Sequence, residues 1–214
     1  MSLTLHGYWR STTAYRVRIA LALKGVAYAQ VTHDLRKGEQ RDAEYRALNP
    51  QGLVPALSTD DAVLTQSPAI LEWIEETYPD PPLLPADANS RAIVRAMAGT
   101  IACDIHPVNN LRILTALRTE FGADEAAVNH WIACWIGDGF AALETQISRY
   151  GDGYAFGETP TIADCHLVPQ VYSAERFAVD LSSYPHLRAA ADKARALPAF
   201  AAAHPDGQPD ADRA

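Results

Sequence analysis

The chain has 214 residues, is 48% hydrophobic and 21% charged, and carries a formal net charge of −8. It is long enough for one large domain or two modest ones and has ample apolar area for a core. The acidic balance excludes an extended nucleic-acid surface, which needs clustered Lys and Arg, although Arg10, Arg16 and Arg18 gather positive charge locally. No apolar run approaches ~18 residues, so no spanning helix is expected. The start MSLTLHGYWR lacks the basic-then-apolar order of a secretory signal, and a cytoplasmic protein is expected. Cys103, Cys134 and Cys165 form no CxxC or Cys/His cluster. They read as reduced, mostly buried thiols, with no metal site.

Leu3 and Leu5 alternate with Thr4 and His6, which predicts a strand. Ser11-Thr12-Thr13 then opens a helix that Gly25 stops. A second strand follows at 28–32, and a looser helix over 39–46 ends before Asn49-Pro50. Strands at 54–57 and 63–65 flank a turn. Ser67 is expected to cap a helix whose first residue is Pro68. Strand–helix–strand–helix–strand–strand–helix is the thioredoxin-like order, a parallel βαβ unit joined to an antiparallel hairpin and a last helix.

Tyr78-Pro79-Asp80-Pro81-Pro82 breaks that pattern, and everything beyond 89 is helical in spacing: 90–117, 123–149, 161–177 and 184–196, then a polar tail from His204. The expected organisation is therefore an α/β thioredoxin-like domain over 1–80, a linker over 81–89 and an all-α domain over 90–214. Thr161-x-x-Asp164 reads as a structural capping box. Trp131 and Trp135, one turn apart, make an aromatic stripe that suits a core better than an interface.

Three motifs carry chemistry, and each also has a bland explanation. The hydroxyls of Ser11-Thr12-Thr13 cap a helix, or they join its N-terminus in holding an anion such as a thiolate. A thiol titrating near ~8.5 needs about 2.7 kcal/mol of differential stabilisation to fall by two units. In Asn49-Pro50-Gln51-Gly52-Leu53-Val54-Pro55, the proline is a turn device, or it presents the Val54 backbone to an extended peptide. Gln66-Ser67-Pro68 starts a helix, or it receives a carboxylate there.

Taken in this order, the motifs resemble the zeta class of glutathione transferases, which includes maleylacetoacetate isomerases. The matching stretches are 10–24, 48–57, 66–76, 83–95, 104–114 and 159–184. The resemblance implies a glutathione transferase fold and a homodimer. It also implies glutathione-dependent cis–trans isomerisation of a dicarboxylate maleyl keto acid. Ser11 then bonds the glutathione sulfur with Thr12 close by, and Val54 before Pro55 pairs with the cysteinyl backbone. Gln66 and Ser67 hold the γ-glutamyl end and Gln51 the glycine end. Arg10 anchors a substrate carboxylate and Arg176 a second. His106 reaches a glutathione carboxylate across a dimer interface, or simply packs. Thr13 stands where the class has cysteine, so no thiol of the enzyme's own is at work there. Arg-Ser-x-Thr, Cys103-Asp104-Ile105-His106-Pro107 and Phe121-Gly122-Ala123-Asp124-Glu125 resemble the bacterial maleylpyruvate isomerases more closely. Maleylacetoacetate and maleylpyruvate both stay open as substrates. So do a broad transferase or dehalogenase, and a non-catalytic binding protein on the same fold.

Overall fold

The computed structural model describes residues 2–212. By spatial proximity the chain forms two compact units, one of residues up to Leu83 with those from Ala196 onward, the other Leu84–Arg195.

The first unit is built on a four-stranded sheet in the order β2-β1-β3-β4, with β1 Thr4–Gly7, β2 Ala29–Thr32, β3 Ala56–Ser58 and β4 Val63–Thr65. The pairing of β1 with β2 is parallel, while β1–β3 and β3–β4 are antiparallel, which is the thioredoxin-like arrangement. Helix α1, Thr12–Leu23, crosses between β1 and β2. It ends where Gly25 turns to φ 64°, with Gly25 N–H bonded to Ala22 C=O and Val26 N–H to Leu21 C=O. That left-handed residue satisfies two end carbonyls at no steric cost.

Every residue of α1 from Ala14 to Leu21 is buried, so the helix is enclosed all round. It packs on α3, Ser67–Thr77, and on α9, Pro198–Ala203. Arg16 and Arg18 are each 1% exposed, so they do not make the local surface charge that their spacing suggests. The looser helix resolves into a 3₁₀ turn, Glu39–Arg41, and α2, Ala43–Leu48.

At the sheet, His6 Nδ1 lies 3.2 Å from His33 Nε2 with the two rings stacked, and Tyr45 lies tilted against His33 with ring centroids 4.2 Å apart. Burial lowers the pKa of both histidines, helped at His6 by the charge of His33 and opposed at His33 by Glu39, Glu44 and Asp42.

The second unit is helical: α4 Ala88–Gly99, α5 Leu111–Thr119, α6 Glu125–Tyr150, α7 Ile162–Arg176 and α8 Pro185–Arg195. The single helix expected over 90–117 is broken. After α4 the chain widens to a π-helix at Thr100–Ile105 and tightens to a 3₁₀ turn at Pro107–Asn109, and Asn110 caps α5 afresh. Pro107 has no N–H to continue the ladder, which forces the restart. The core face of α6 is Val128, Ile132, Ile136, Phe140, Leu143 and Ile147. The tryptophan stripe is not that core: Trp131 is half-buried, donating to Val108 C=O at 2.9 Å, and Trp135 is 37% exposed.

Two further expectations fail. Cys103 and Cys134 are exposed and only Cys165 is buried. The residues after 196, assigned by sequence to the helical domain and its polar tail, pack with the first unit through α9 and a 3₁₀ turn at Pro205–Gly207. Among the described residues no helix is long and apolar enough to cross a membrane.

Candidate functional site

Ser11 caps α1, its Oγ accepting the Ala14 N–H at 3.2 Å. The same oxygen lies 2.9 Å from Thr13 Oγ1, and Thr13 Oγ1 lies 3.0 Å from the Val54 carbonyl oxygen. A carbonyl only accepts, so the single Thr13 proton goes to Val54 and the Ser11 hydroxyl donates to Thr13. A directed chain, Ser11 to Thr13 to Val54, thus joins the start of α1 to the loop before β3. Thr12 faces inward and is 8% exposed, whereas Ser11 and Thr13 are half-buried. The hydroxyl beside Ser11 is therefore that of Thr13 rather than Thr12.

The Val54 loop is itself held from behind. Tyr45 Oη and Asn49 Nδ2 both donate to the Leu53 carbonyl, at 2.7 and 2.6 Å, and burial pushes the Tyr45 phenol up to about 12. The Val54–Pro55 peptide is cis, with Pro55 buried. The Val54 N–H has no acceptor among the described residues. Beyond the hairpin, Gln66 sits at φ 67°, a left-handed conformation that costs a non-glycine residue about 1–3 kcal/mol. Its Nε2 donates to Gln51 Oε1 at 2.6 Å.

Ser67 is not the cap that the sequence suggests. Gln66 takes the cap position without a side-chain bond, and Ser67 is the first helical residue. The Ser67 hydroxyl accepts from buried Arg16 Nη1 at 3.2 Å. A guanidinium only donates, so Ser67 keeps its own proton for another acceptor, with a buried cation behind it. Half-buried Arg10 lays its guanidinium over the Trp9 ring, 5.0 Å from the centroid. Within this unit, then, Ser11, Val54 and Arg10 gather round the start of α1, and Gln51, Gln66 and Ser67 round the start of α3.

Residues 1–76 match the family model of the glutathione S-transferase N-terminal domain, and residues 137–198 that of its C-terminal domain. A maleylpyruvate isomerase from a Ralstonia species is 55% identical, spanning 96% of this chain and 98% of that protein. A maleylacetoacetate isomerase from Pseudomonas aeruginosa is 51% identical over 96% of this chain and 97% of its own. The holo structure of a maleyl pyruvate isomerase, described as a bacterial zeta-class transferase, aligns with a TM-score of 0.95 at 54% identity, covering 97% and 99% of the two chains. A maleylacetoacetate isomerase from Anaeromyxobacter dehalogenans with glutathione in its active site aligns at 0.89 and 45% identity, covering 98% of each. The chain belongs to the glutathione S-transferase family, in its zeta class.

The transferase's remaining candidates lie in the second unit. His106 follows the π-helix, half-buried, with its N–H on the Ile101 carbonyl at 2.9 Å. Arg176 ends α7, exposed, its guanidinium 4.6 Å from the centre of the Phe177 ring. Two residues at the site escaped sequence reasoning. Thr13 reads in sequence as one of three capping hydroxyls and as the residue in place of a cysteine, but its partner Val54 is distant along the chain. Arg16 reads in sequence as local positive charge beside Arg10 and Arg18. The one available signal was its position inside an apolar run, where a charge must find partners.

Proposed function

We propose that this transferase is a glutathione-dependent cis–trans isomerase of a maleyl keto acid, maleylpyruvate or maleylacetoacetate. The observation that carries the reading is the Ser11–Thr13–Val54 chain, which sets an exchangeable hydroxyl proton at a helix N-terminus and ties it to Val54, whose N–H has no acceptor among the described residues. The residues suit glutathione. The Val54 N–H matches the cysteinyl backbone, Ser67 with Gln66 the γ-glutamyl end, and Gln51 the glycine end. Bound glutathione supplies a thiolate that adds reversibly to the cis double bond conjugated to a ketone.

Ser11 serves the sulfur by rotating its hydroxyl away from Thr13. It surrenders a neutral bond worth about 1 kcal/mol and gains a charge-assisted one worth about 1.5–3. The terminus of α1 adds about 0.3–1 kcal/mol. The sum, about 1–3 kcal/mol, lowers the thiol pKa by about one to two units. Arg10, next to Ser11, anchors a substrate carboxylate through its planar fork. From the family resemblance we assign Arg176 a second carboxylate, His106 a glutathione carboxylate, and the active enzyme a homodimeric state.

The test follows maleylpyruvate and maleylacetoacetate by ultraviolet absorbance with and without glutathione. Isomerisation only with glutathione is expected. Turnover of chlorinated acids in place of either would identify a dehalogenase. Glutathione at a hundredfold excess over its Kd should stabilise the protein by about 2.7 kcal/mol. No thermal shift at millimolar glutathione would sink the proposal.

A further inference from the structure

The turn that presents Arg10 and Ser11 is held by the far end of the chain. It runs from Tyr8 to Ser11, closed by the Ser11 N–H on the Tyr8 carbonyl at 3.0 Å. Trp9, in its middle, has both peptide groups committed. Its N–H donates to Asp210 Oδ2 at 2.9 Å, and its C=O accepts from Arg18 Nη2 at 2.9 Å. Arg18 is buried, and its Nε donates to the Ala203 carbonyl at 3.0 Å. The other Asp210 oxygen accepts from Gln30 Nε2 on β2 at 3.2 Å. Gln208, also buried, folds the intervening segment by donating to the Ala202 and His204 carbonyls at 3.1 and 2.9 Å. Anchoring of a chain end is already served by apolar contacts, since Phe200 and Ala203 are buried on α9, which packs on α1. The ionised carboxylate adds something different: a directional, charge-assisted bond to one N–H two residues before Ser11.

We propose that Asp210 is a positioning residue for the Arg10–Ser11 turn, fixing the Trp9 peptide from one side while Arg18 fixes it from the other. The inference rests on the site reading given above. Among the described residues Asp210 bonds the turn and β2, and no hydrogen bond or ion pair joins it to Val54, Gln66 or Ser67. Its loss therefore disturbs thiolate activation and substrate anchoring rather than glutathione binding.

The experiment compares Asp210→Ala, Asp210→Asn, Asp212→Ala and Ser11→Ala in the full chain. For each, kcat, the KM for glutathione and the thiol pKa of bound glutathione, read from thiolate absorbance, are measured well below the melting temperature. Misplacement of reacting groups by a fraction of an ångström predicts a fall of about tenfold in kcat for Asp210→Ala with a glutathione KM within about twofold of wild type. Asp210→Asn keeps an acceptor of the same shape and stays within about threefold, which separates position from charge. Among the described residues Asp212 pairs with exposed Arg36 alone, a surface ion pair, so its variant behaves as wild type. Wild-type kcat and thiol pKa in Asp210→Ala, whatever its melting temperature, overturn the inference while a defective Ser11→Ala leaves the site reading standing. A wild-type Ser11→Ala overturns both.

Discussion

Among the described residues, helices α1 and α7 both begin on a hydroxyl cap, and they use it differently. At α7, Thr161 Oγ1 accepts the Ala163 N–H, and its own proton goes to Asp164 Oδ2 at 3.0 Å. Asp164 also takes the Thr161 N–H and, through Oδ1, the Ala155 N–H, each at 2.8 Å. Nothing of this is exposed: Asp164 is 0% accessible. Burial lifts its carboxyl to about 6 while those donors pull it back. At α1 the first turn holds no acid, the cap is half-buried, and the Ser11 proton rests on Thr13, a neutral acceptor that it can leave. A helix start supplied with its own buried anion is structural. One without an anion, open on one side, is ready to receive one.

The largest expected effect tests the closed end. Asp164→Ala strands three donors in the interior and should cost about 3–5 kcal/mol of stability, read as a fall in the urea midpoint. The thiol pKa of bound glutathione should not move.

Arg10→Leu tests the open end. Loss of a bidentate carboxylate contact should lower kcat/KM by about 30- to 1,000-fold, or ~2–4 kcal/mol, with glutathione binding little changed. Lysine should rescue in part only, because an ammonium lacks the planar fork. Wild-type efficiency with a maleyl keto acid would move the anchor to Arg176.

The two caps can then be compared directly. Ser11→Ala and Thr161→Ala should each cost about 1 kcal/mol of stability. Only Ser11→Ala should raise the thiol pKa, by about one unit. Equal titrations in both variants would leave the helix terminus as the sole activator.

Thr13→Val is subtler. It frees the Ser11 proton but removes the donor that steadies Val54, so the KM for glutathione should rise about fivefold with no increase in thiol pKa, and Thr13→Ser should restore it. A raised thiol pKa in Thr13→Val would mean that Thr13 itself bonds the sulfur.

The smallest effect is in pH. His6 and His33 have pKa values held below 6.5 by burial, so the unfolded chain takes up their protons first. Stability from this pair is present above about 6.5 and is lost as pH falls toward the lower folded values. Asp164, raised to about 6, works in the opposite direction in the same window, because there the folded state binds its proton first. Replacing His33 by Gln should therefore weaken the loss of stability between pH 7 and pH 5. Urea midpoints that keep the wild-type pH slope in that variant would remove the histidine pair as its source.

The sequence by itself determined the element order, the thioredoxin-like topology and the helical half, because apolar spacing, caps and glycine stops are local signals. It also placed Ser11 at a helix start and marked Thr161 with Asp164 as a capping box, while it counted Val54–Pro55 as the first residues of a strand that begins at Ala56. Only the tertiary structure decided which hydroxyl stands beside Ser11, what lies behind Ser67 and where the last residues go. Thr13 meets Val54 41 positions away, Arg16 meets Ser67 51 away and Asp210 meets Trp9 201 away. Each of these partners has a satisfactory local role as cap, surface charge or tail. For Thr13 and Asp210 nothing in the chain neighbours distinguishes that role from the long-range one, and for Arg16 the surrounding apolar run says only that a partner is needed, not which. The choice falls to burial, since a donor or charge carried inside must end on whichever acceptor the fold brings within about 3 Å.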